Sequence, residues 1–369
     1  MRIKSEVYKG VYEKMPSLTV MMKFVVVFVS VIACVYTLPV GEEQAPPPEG
    51  DVPRTYLPEE DNPWRQRYIV IQDDNGQYHI EDLWRDPGPN RASIADLTFF
   101  LFTQNNPENP NIIPANNFDA LSNSQFQASR PNFFISHGWN NNMNSPVNLV
   151  IRRAVLSRHN VNLFVIDWSR PANQFYTTAR NAVPVIGRLV GDFINRMMIT
   201  FNLRTTDFSL VGHSLGAHLV GIAGKQVLGL VNSIVGLDPA GPLYTVANRD
   251  NRIDAGDGDH VQIVHTNGGL LGFGSSIGDA DYYPNGGSSQ PGCGIDLIGT
   301  CAHSRAYDLF GESVRTANFF ARSCGRHQDY TAGACGNNHR AFMGEFVVDR
   351  SARGDYHLVT NANSPFARG

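Results

Sequence analysis

Lysine is almost absent from most of this 369-residue chain. After Thr37 the sequence contains 24 arginines but a single lysine, Lys225. Guanidinium groups stay charged beyond about pH 12, whereas lysine loses its proton near about pH 10.4, so this bias favours a protein that works in alkaline fluid. A GC-rich codon bias is the alternative explanation, but the 32 asparagines, whose codons are AT-rich, weigh against it.

Two other features are missing. The chain has no N-x-[ST] triplet, so we expect no N-linked sugar. No apolar run after residue 37 is long enough to cross a bilayer, which takes about 20 residues.

The earlier run FVVVFVSVIACVY, residues 24–36, follows Met22 and Lys23 and has the length of a secretory h-region. We therefore expect residues 1–37 to be a signal peptide of a secreted protein, with an upstream extension before Met22 that fits no targeting pattern.

Removal of residues 1–37 leaves 25 basic and 32 acidic residues, a net charge of −7 that argues against nucleic acid as a partner.

Cysteine is scarce in the part of the chain after residue 37, and its distribution fits secretion. Four cysteines remain: Cys293, Cys301, Cys324 and Cys335. An even number in a secreted chain predicts two disulfides, and nearest-neighbour pairing is the simplest of three connectivities. A metal pair of Cys301 and His303 is the alternative, although no further Cys/His cluster accompanies it.

The chain divides into a tail and one large domain. Residues 38–63 are rich in proline and glutamate and have little to bury, which predicts an acidic, extended tail or propeptide. Residues 64–369 open with a hairpin pattern around DDNG and then alternate apolar strand candidates with helical patterns at 147–158, 176–201 and 214–229. The strand candidates are 97–103, 133–139, 163–168, 208–212, 233–238 and 261–266. This order predicts an α/β fold, a mostly parallel sheet with helices on both faces.

The stretch GHSLG, residues 212–216, carries the first chemical signal. It stands between a strand pattern, DFSLV, and a helical pattern that starts at Ala217. A sharp turn from strand to helix crowds the backbone, so flanking glycines remove colliding side chains and expose a serine hydroxyl at the sheet edge. The pattern alone is common, and a small residue in an ordinary turn is the structural alternative. The context favours Ser214 as a nucleophile.

A serine nucleophile needs a histidine base and a carboxylate that holds it. Asp238 ends the strand candidate NSIVGLD and precedes PAGP, although turn aspartates before proline are common. Six histidines follow Asp238: His260, His265, His303, His327, His339 and His357. His303 has the best local setting, because it follows Cys301 at the start of a helical pattern.

Seven motifs in order resemble the pancreatic-lipase-like family of α/β hydrolases, over roughly residues 65–348: FISHGW, VIDWSR, VGHSLGAH, VGLDPAGP, VHTNGG, YYPNGGSSQPGC and CAHSRA. The resemblance implies an α/β-hydrolase fold and a catalytic triad of Ser214, Asp238 and His303. It also implies backbone oxyanion donors at Leu215 and, in the HGW loop, at Trp139. The alternative for HGW is that its first two residues only close a turn. The family includes triacylglycerol lipases, phospholipases A1 and insect yolk proteins. An intact triad argues against the non-catalytic, lipid-binding yolk branch, which lacks the nucleophile.

The resemblance also bears on the substrate. In this family a disulfide matching Cys293–Cys301 carries the lid over the active site, and here it would enclose seven residues. Such a short lid resembles arthropod phospholipases A1, so the resemblance favours phospholipid or galactolipid esters, at membrane or micelle surfaces, over triacylglycerol. Triacylglycerol lipase is the alternative.

Two departures concern partners and cofactors. Only 66 residues follow His303, so we expect no second β-sandwich domain and no colipase-type partner. The family can hold a structural calcium, and Asp254 and Asp257 match carboxylate ligands, with a plain polar loop as the alternative. No other cofactor is expected. Together with the lysine deficit, a lipid-cleaving role predicts an alkaline digestive lumen, such as an insect midgut.

Overall fold

The computed structural model describes residues 66–368. The expected signal peptide and acidic tail lie outside these residues. The described chain forms a hairpin and one sheet of 11 strands. Its strands are β1 Tyr68–Gln72, β2 Tyr78–Asp82, β3 Thr98–Phe102, β4 Asn111–Pro114, β5 Asn132–Ser136, β6 Asn162–Asp167, β7 Phe208–His213, β8 Ser233–Leu237, β9 Val261–Val264, β10 Ala280–Pro284, β11 Phe320–Ser323, β12 Arg340–Phe342 and β13 Gly354–Leu358.

Seven α-helices accompany these strands in the described part of the chain, with three short 3₁₀ turns at Ile94–Asp96, Thr205–Asp207 and Arg249–Asn251. The helices are α1 Asp119–Ser122, α2 Pro146–Arg158, α3 Ser169–Ala172, α4 Tyr176–Phe201, α5 Leu215–Gln226, α6 Thr300–Thr316 and α7 His327–Thr331. The three long helical patterns found in the sequence correspond to α2, α4 and α5. Among the described residues, no helix has the length and apolar character that crossing a membrane requires.

The large sheet is parallel in its centre and antiparallel at its edges. Its strand order is β12-β11-β13-β10-β9-β8-β7-β5-β6-β3-β4. All neighbours from β13 to β6 pair in parallel, whereas β11, β12, β3 and β4 join antiparallel. The prediction of a mostly parallel α/β sheet is therefore confirmed. Because parallel strands end on the same side, the segments after β5, β7 and β8 meet at one edge.

Helices cover both faces of the sheet. Phe134 of β5 packs into the core cluster that contains α4 and α5. Its neighbour Ile135 packs into the second cluster, which contains α2 and α6. Successive strand residues point to opposite faces, so a strand buried on both sides reads as a continuous apolar run rather than an alternating one. This is why FFIS and LFVI identify central strands.

Candidate active site

The turn between β7 and α5 holds Ser214 in a strained backbone conformation. Its φ of +58° and ψ of −126° lie outside the regions that residues other than glycine prefer. A Cβ on Gly212 would stand 2.1 Å from the carbonyl oxygen of Gly216, and one on Gly216 would stand 2.4 Å from that of His137. Neither position can carry a side chain without moving the backbone. The two glycines therefore allow the tight turn that presents Ser214.

Asp238 directly follows β8 and is fully buried. Its Oδ1 accepts hydrogen bonds from the backbone N–H groups of Thr266, at 2.7 Å, and Asn267, at 2.9 Å. Its Oδ2 lies 2.6 Å from Nδ1 of His303. Both oxygens are thus occupied, and the carboxylate is fixed in one orientation.

His303 lies in the first turn of α6, two residues after Cys301. Because a carboxylate can only accept, Nδ1 carries the proton of the bond to Asp238, and Nε2 is left as the free acceptor. His303 and Ser214 line the same cavity, whose volume is about 250 Å³. Within residues 66–368, Ser214 Oγ makes no hydrogen bond, a common state in the absence of substrate.

The two backbone amides that are predicted to bind an oxyanion, those of Leu215 and Trp139, belong to the segments that meet at Ser214. Leu215 is the first residue of α5, where helix N–H groups have no intrahelical partner. Trp139 lies in the loop after β5, held by a 2.8 Å bond from its indole Nε1 to the carbonyl of Gln174. Neither backbone N–H donates to another group in the described part of the chain. A Cβ on Gly138 would stand 2.8 Å from Ser214 Cβ, so this loop runs directly against the proposed nucleophile.

Sequence reasoning missed two groups that line the cavity. The sequence motif assigns no role to His213, which precedes Ser214 and whose Nε2 lies 3.0 Å from the backbone carbonyl oxygen of His303. Asp73 and Asp74, in the turn between β1 and β2, also reach the cavity. Asp74 Oδ2 accepts a hydrogen bond from Nδ2 of Asn141 at 2.9 Å, which ties the hairpin to the loop after Trp139. A contact across 67 residues has no signal in the local sequence.

The structure joins the cysteines in the nearest-neighbour pairs. Cys293 bonds to Cys301 and Cys324 to Cys335, with Cα–Cα distances of 5.6 and 5.7 Å. Because its sulfur is bonded to Cys293, Cys301 is not available as a metal ligand. The enclosed segment 294–300 carries two exposed apolar side chains, Ile295 (90% exposed) and Leu297 (73%). Its last residue, Thr300, lines the cavity.

The carboxylates matched to a calcium site do not fit a divalent cation, because side-chain cations already pair with them. Arg252 donates to Asp254 Oδ1 at 2.7 Å, and Arg249 lies 3.4 Å from Asp254 Oδ2. Lys225 forms an ion pair with Asp257. Burial raises the pKa of Asp257 to about 6, although Lys225 acts in the opposite direction. An added divalent ion would face three positive groups, which favours the alternative of a plain polar loop over calcium binding.

The parallel sheet, the strained serine after β7 and the aspartate after β8 define an α/β hydrolase. The chain belongs to the Lipase family, whose model matches residues 75–366. Pancreatic lipase-related protein 2 of Sus scrofa is 31% identical over 64% of this chain and 55% of its own length. Pancreatic triacylglycerol lipase of Myocastor coypus is 30% identical, over 67% and 59%.

Another relative is named as inactive. Inactive pancreatic lipase-related protein 1 of Mus musculus is 31% identical over 64% of this chain and 55% of its own. This chain spans little more than half the length of the curated relatives it matches. Membership of the family is therefore established, but it does not by itself decide activity.

Proposed function

We propose that this protein is a secreted serine hydrolase that cleaves acyl esters of lipids. The observation that carries the proposal is the arrangement of three residues. Oδ2 of Asp238 lies 2.6 Å from Nδ1 of His303, and His303 lines the same cavity as Ser214. Geometry and roles identify such a triad, whatever the order of its members along the chain.

The mechanism begins when an ester enters the cavity. His303 Nε2 accepts the proton of Ser214 Oγ as that oxygen attacks the ester carbonyl carbon. The carbonyl oxygen gains negative charge and receives hydrogen bonds from the N–H groups of Leu215 and Trp139, each worth roughly 3–4 kcal/mol of barrier in comparable sites. His303 then gives its proton to the departing alcohol, which leaves Ser214 acylated.

A second half-reaction restores the protein. Water loses a proton to His303 Nε2 and attacks the acyl carbon of the Ser214 ester. The tetrahedral intermediate collapses, Ser214 Oγ recovers the proton from His303, and the fatty acid leaves. Throughout both halves Asp238 keeps Nδ1 protonated and stabilises the imidazolium, which forms twice in each cycle.

The loop between Cys293 and Cys301 encloses only seven residues, and such a short loop supports a substrate with a polar head group. We therefore favour a phospholipase A1 or galactolipid type of activity over a triacylglycerol lipase. No arginine or lysine lines the cavity within residues 66–368, so a lipid phosphate would meet no cation there.

The location proposed for this activity is extracellular. The two disulfides support an oxidising environment. The scarcity of lysine supports an alkaline digestive lumen.

The test is hydrolysis of phosphatidylcholine, galactolipid and triolein side by side, with Ser214→Ala as the blank. The proposal expects fatty acid release that Ser214→Ala abolishes, fastest from a polar lipid. Equal release by both proteins would exclude Ser214 as the nucleophile. Release from triolein alone would favour the triacylglycerol alternative. Lipid binding without hydrolysis would favour a non-catalytic, yolk-type protein.

A further inference from the structure

His213 is the last residue of β7 and immediately precedes the proposed nucleophile. Its side chain is buried, with 5% of the residue exposed, and it lines the cavity together with Ser214. His213 takes no part in the proton transfers between Ser214 and His303. A polar ring buried beside a nucleophile normally has partners, because an unpaired polar group costs free energy.

The partner of this ring belongs to the proposed base. Nε2 of His213 lies 3.0 Å from the backbone carbonyl oxygen of His303. A carbonyl oxygen can only accept, so Nε2 carries the hydrogen and Nδ1 is the unprotonated nitrogen. Nδ1 has no hydrogen-bond partner among the described residues. The single ring N–H group of His213 therefore donates only to the backbone carbonyl of His303.

Ring contacts reinforce this bond. The His213 and His303 rings have centroids 4.4 Å apart, and Tyr307 packs edge-on against His213 at 5.2 Å and 84°. His303 and Tyr307 stand one turn apart on α6. His213 thus contacts two residues that lie one turn apart on the helix that carries the base.

The neutral state of the His213 ring is compatible with its position beside His303. Burial, with a smaller effect of the neighbouring His303, holds the pKa of His213 well below 6.5. The ring therefore stays neutral at neutral and alkaline pH. Since His303 becomes an imidazolium during each acyl transfer, a second cation beside it would oppose that step. A neutral donor fixes the helix without this penalty.

We propose that His213 is a positioning residue: its hydrogen bond to the His303 carbonyl sets the place of the base relative to Ser214. Ser214 and His303 belong to different segments of the chain. His213, the residue before Ser214, links these two segments. This inference rests on the proposed function. Small displacements between nucleophile and base can cost roughly 100-fold in rate, so loss of this bond should lower kcat.

The experiment compares three variants on a soluble short-chain ester. His213→Gln can place an amide N–H near the position of Nε2, His213→Asn has the same group on a shorter side chain, and His213→Leu has no donor. We expect His213→Leu and His213→Asn to lower kcat about 10- to 100-fold with KM changed less than about threefold. His213→Gln should recover most of the loss. His339→Leu removes an exposed imidazole that bonds to Tyr356 and does not line the cavity, and it is the control for loss of a histidine elsewhere in the fold.

A second readout does not depend on the choice of ester. The rate at which a fluorophosphonate modifies Ser214 reports how well His303 acts as its base. It should fall in His213→Leu and recover in His213→Gln, and thermal unfolding identifies any variant that fails to fold. If folded His213→Leu kept wild-type kcat and labelling rate, or if His213→Gln were no better than His213→Asn in both, the inference would be wrong. A wild type that neither hydrolyses esters nor labels at Ser214 would overturn the proposed function, and this inference with it.

Discussion

Oδ2 of Asp238 lies 2.6 Å from Nδ1 of His303, and Oδ1 of the same carboxylate is held by two backbone amides. In this arrangement Asp238 fixes the tautomer of the imidazole and can stabilise the imidazolium that forms during acyl transfer. Asp238→Asn should therefore keep the fold but present the wrong hydrogen-bonding group to Nδ1. We expect kcat to fall on the order of 10³- to 10⁴-fold with little change in the temperature of unfolding.

Asp119→Asn, an exposed carboxylate at the start of α1, is the control for removing one negative charge. It should leave kcat unchanged. A fully active Asp238→Asn enzyme would mean that another group orients His303.

The ion pair of Lys225 and Asp257 predicts how stability depends on pH in a variant. Lys225→Met leaves the carboxylate without its ammonium partner. We expect a loss of about 1–3 kcal/mol in the free energy of unfolding at pH 8, below the value for a fully buried pair because Lys225 is partly exposed. Asp257 has a raised pKa of about 6, so it binds a proton as pH falls through that region. The stability that protonation provides is present at low pH and lost as pH rises, and the deficit of the variant should shrink by pH 5.

Lys225→Arg keeps the charge and should remain close to wild type in the same denaturant titrations. Neither EDTA nor millimolar calcium should shift the unfolding temperature of the wild type, because side-chain cations already pair with Asp254 and Asp257. A clear stabilisation by calcium would show that the ion displaces these side chains.

The loop between Cys293 and Cys301 exposes Ile295 and Leu297, and we expect these side chains to insert into lipid surfaces. Inserting an aliphatic side chain fully contributes roughly 1.5–3 kcal/mol, so the double change to serine should weaken vesicle binding at least about tenfold. Activity on a dissolved short-chain ester should be unaffected. Vesicle sedimentation and the two assays measure these effects.

Ile199→Ser provides the matched control, because Ile199 is 78% exposed on α4, outside the disulfide loop. Equal loss of vesicle binding in the control and the double variant would contradict a specific role for the loop.

The scarcity of lysine predicts an alkaline pH profile. Ester hydrolysis requires an unprotonated imidazole as the base, so activity should be higher in alkaline than in acidic solution. It should then remain flat or rise between about pH 8 and 10, where arginine still carries its charge. A maximum at or below neutrality, with most activity lost by pH 9, would refute the alkaline lumen but leave the esterase proposal intact.

Much of the fold could be predicted from the sequence because its signals are local. The apolar runs of β5, β6, β7 and β8 and the periodic patterns of α2, α4 and α5 each carry their own information. The edge strand β12 covers three residues and β11 covers four, too few for a clear pattern. Asp238 follows β8 and Ser214 follows β7. Because parallel strands end at the same edge of a sheet, the sequence predicts that both residues lie at that edge.

The candidate site was only partly predictable, because the contacts that form it join residues far apart in the sequence. The local setting of His303 favours it over five other histidines but does not identify it without the family resemblance, since its bond to Asp238 spans 65 residues. The pairing of Lys225 with Asp257 also spans 32 residues. The local sequence around Asp257 therefore shows a carboxylate that matches a calcium ligand but does not show its ammonium partner. Contacts of this kind arise from packing, which local patterns do not encode.

The central claim is that Ser214 is the nucleophile, and labelling with a fluorophosphonate tests it most directly. Purified wild type should take up one equivalent of probe, the adduct should map to the peptide that contains Ser214, and ester hydrolysis should disappear in proportion to labelling. Ser214→Ala, folded to the same unfolding temperature, should take up none. Hydrolysis that persists after complete labelling, or an adduct on a different residue, would contradict the account.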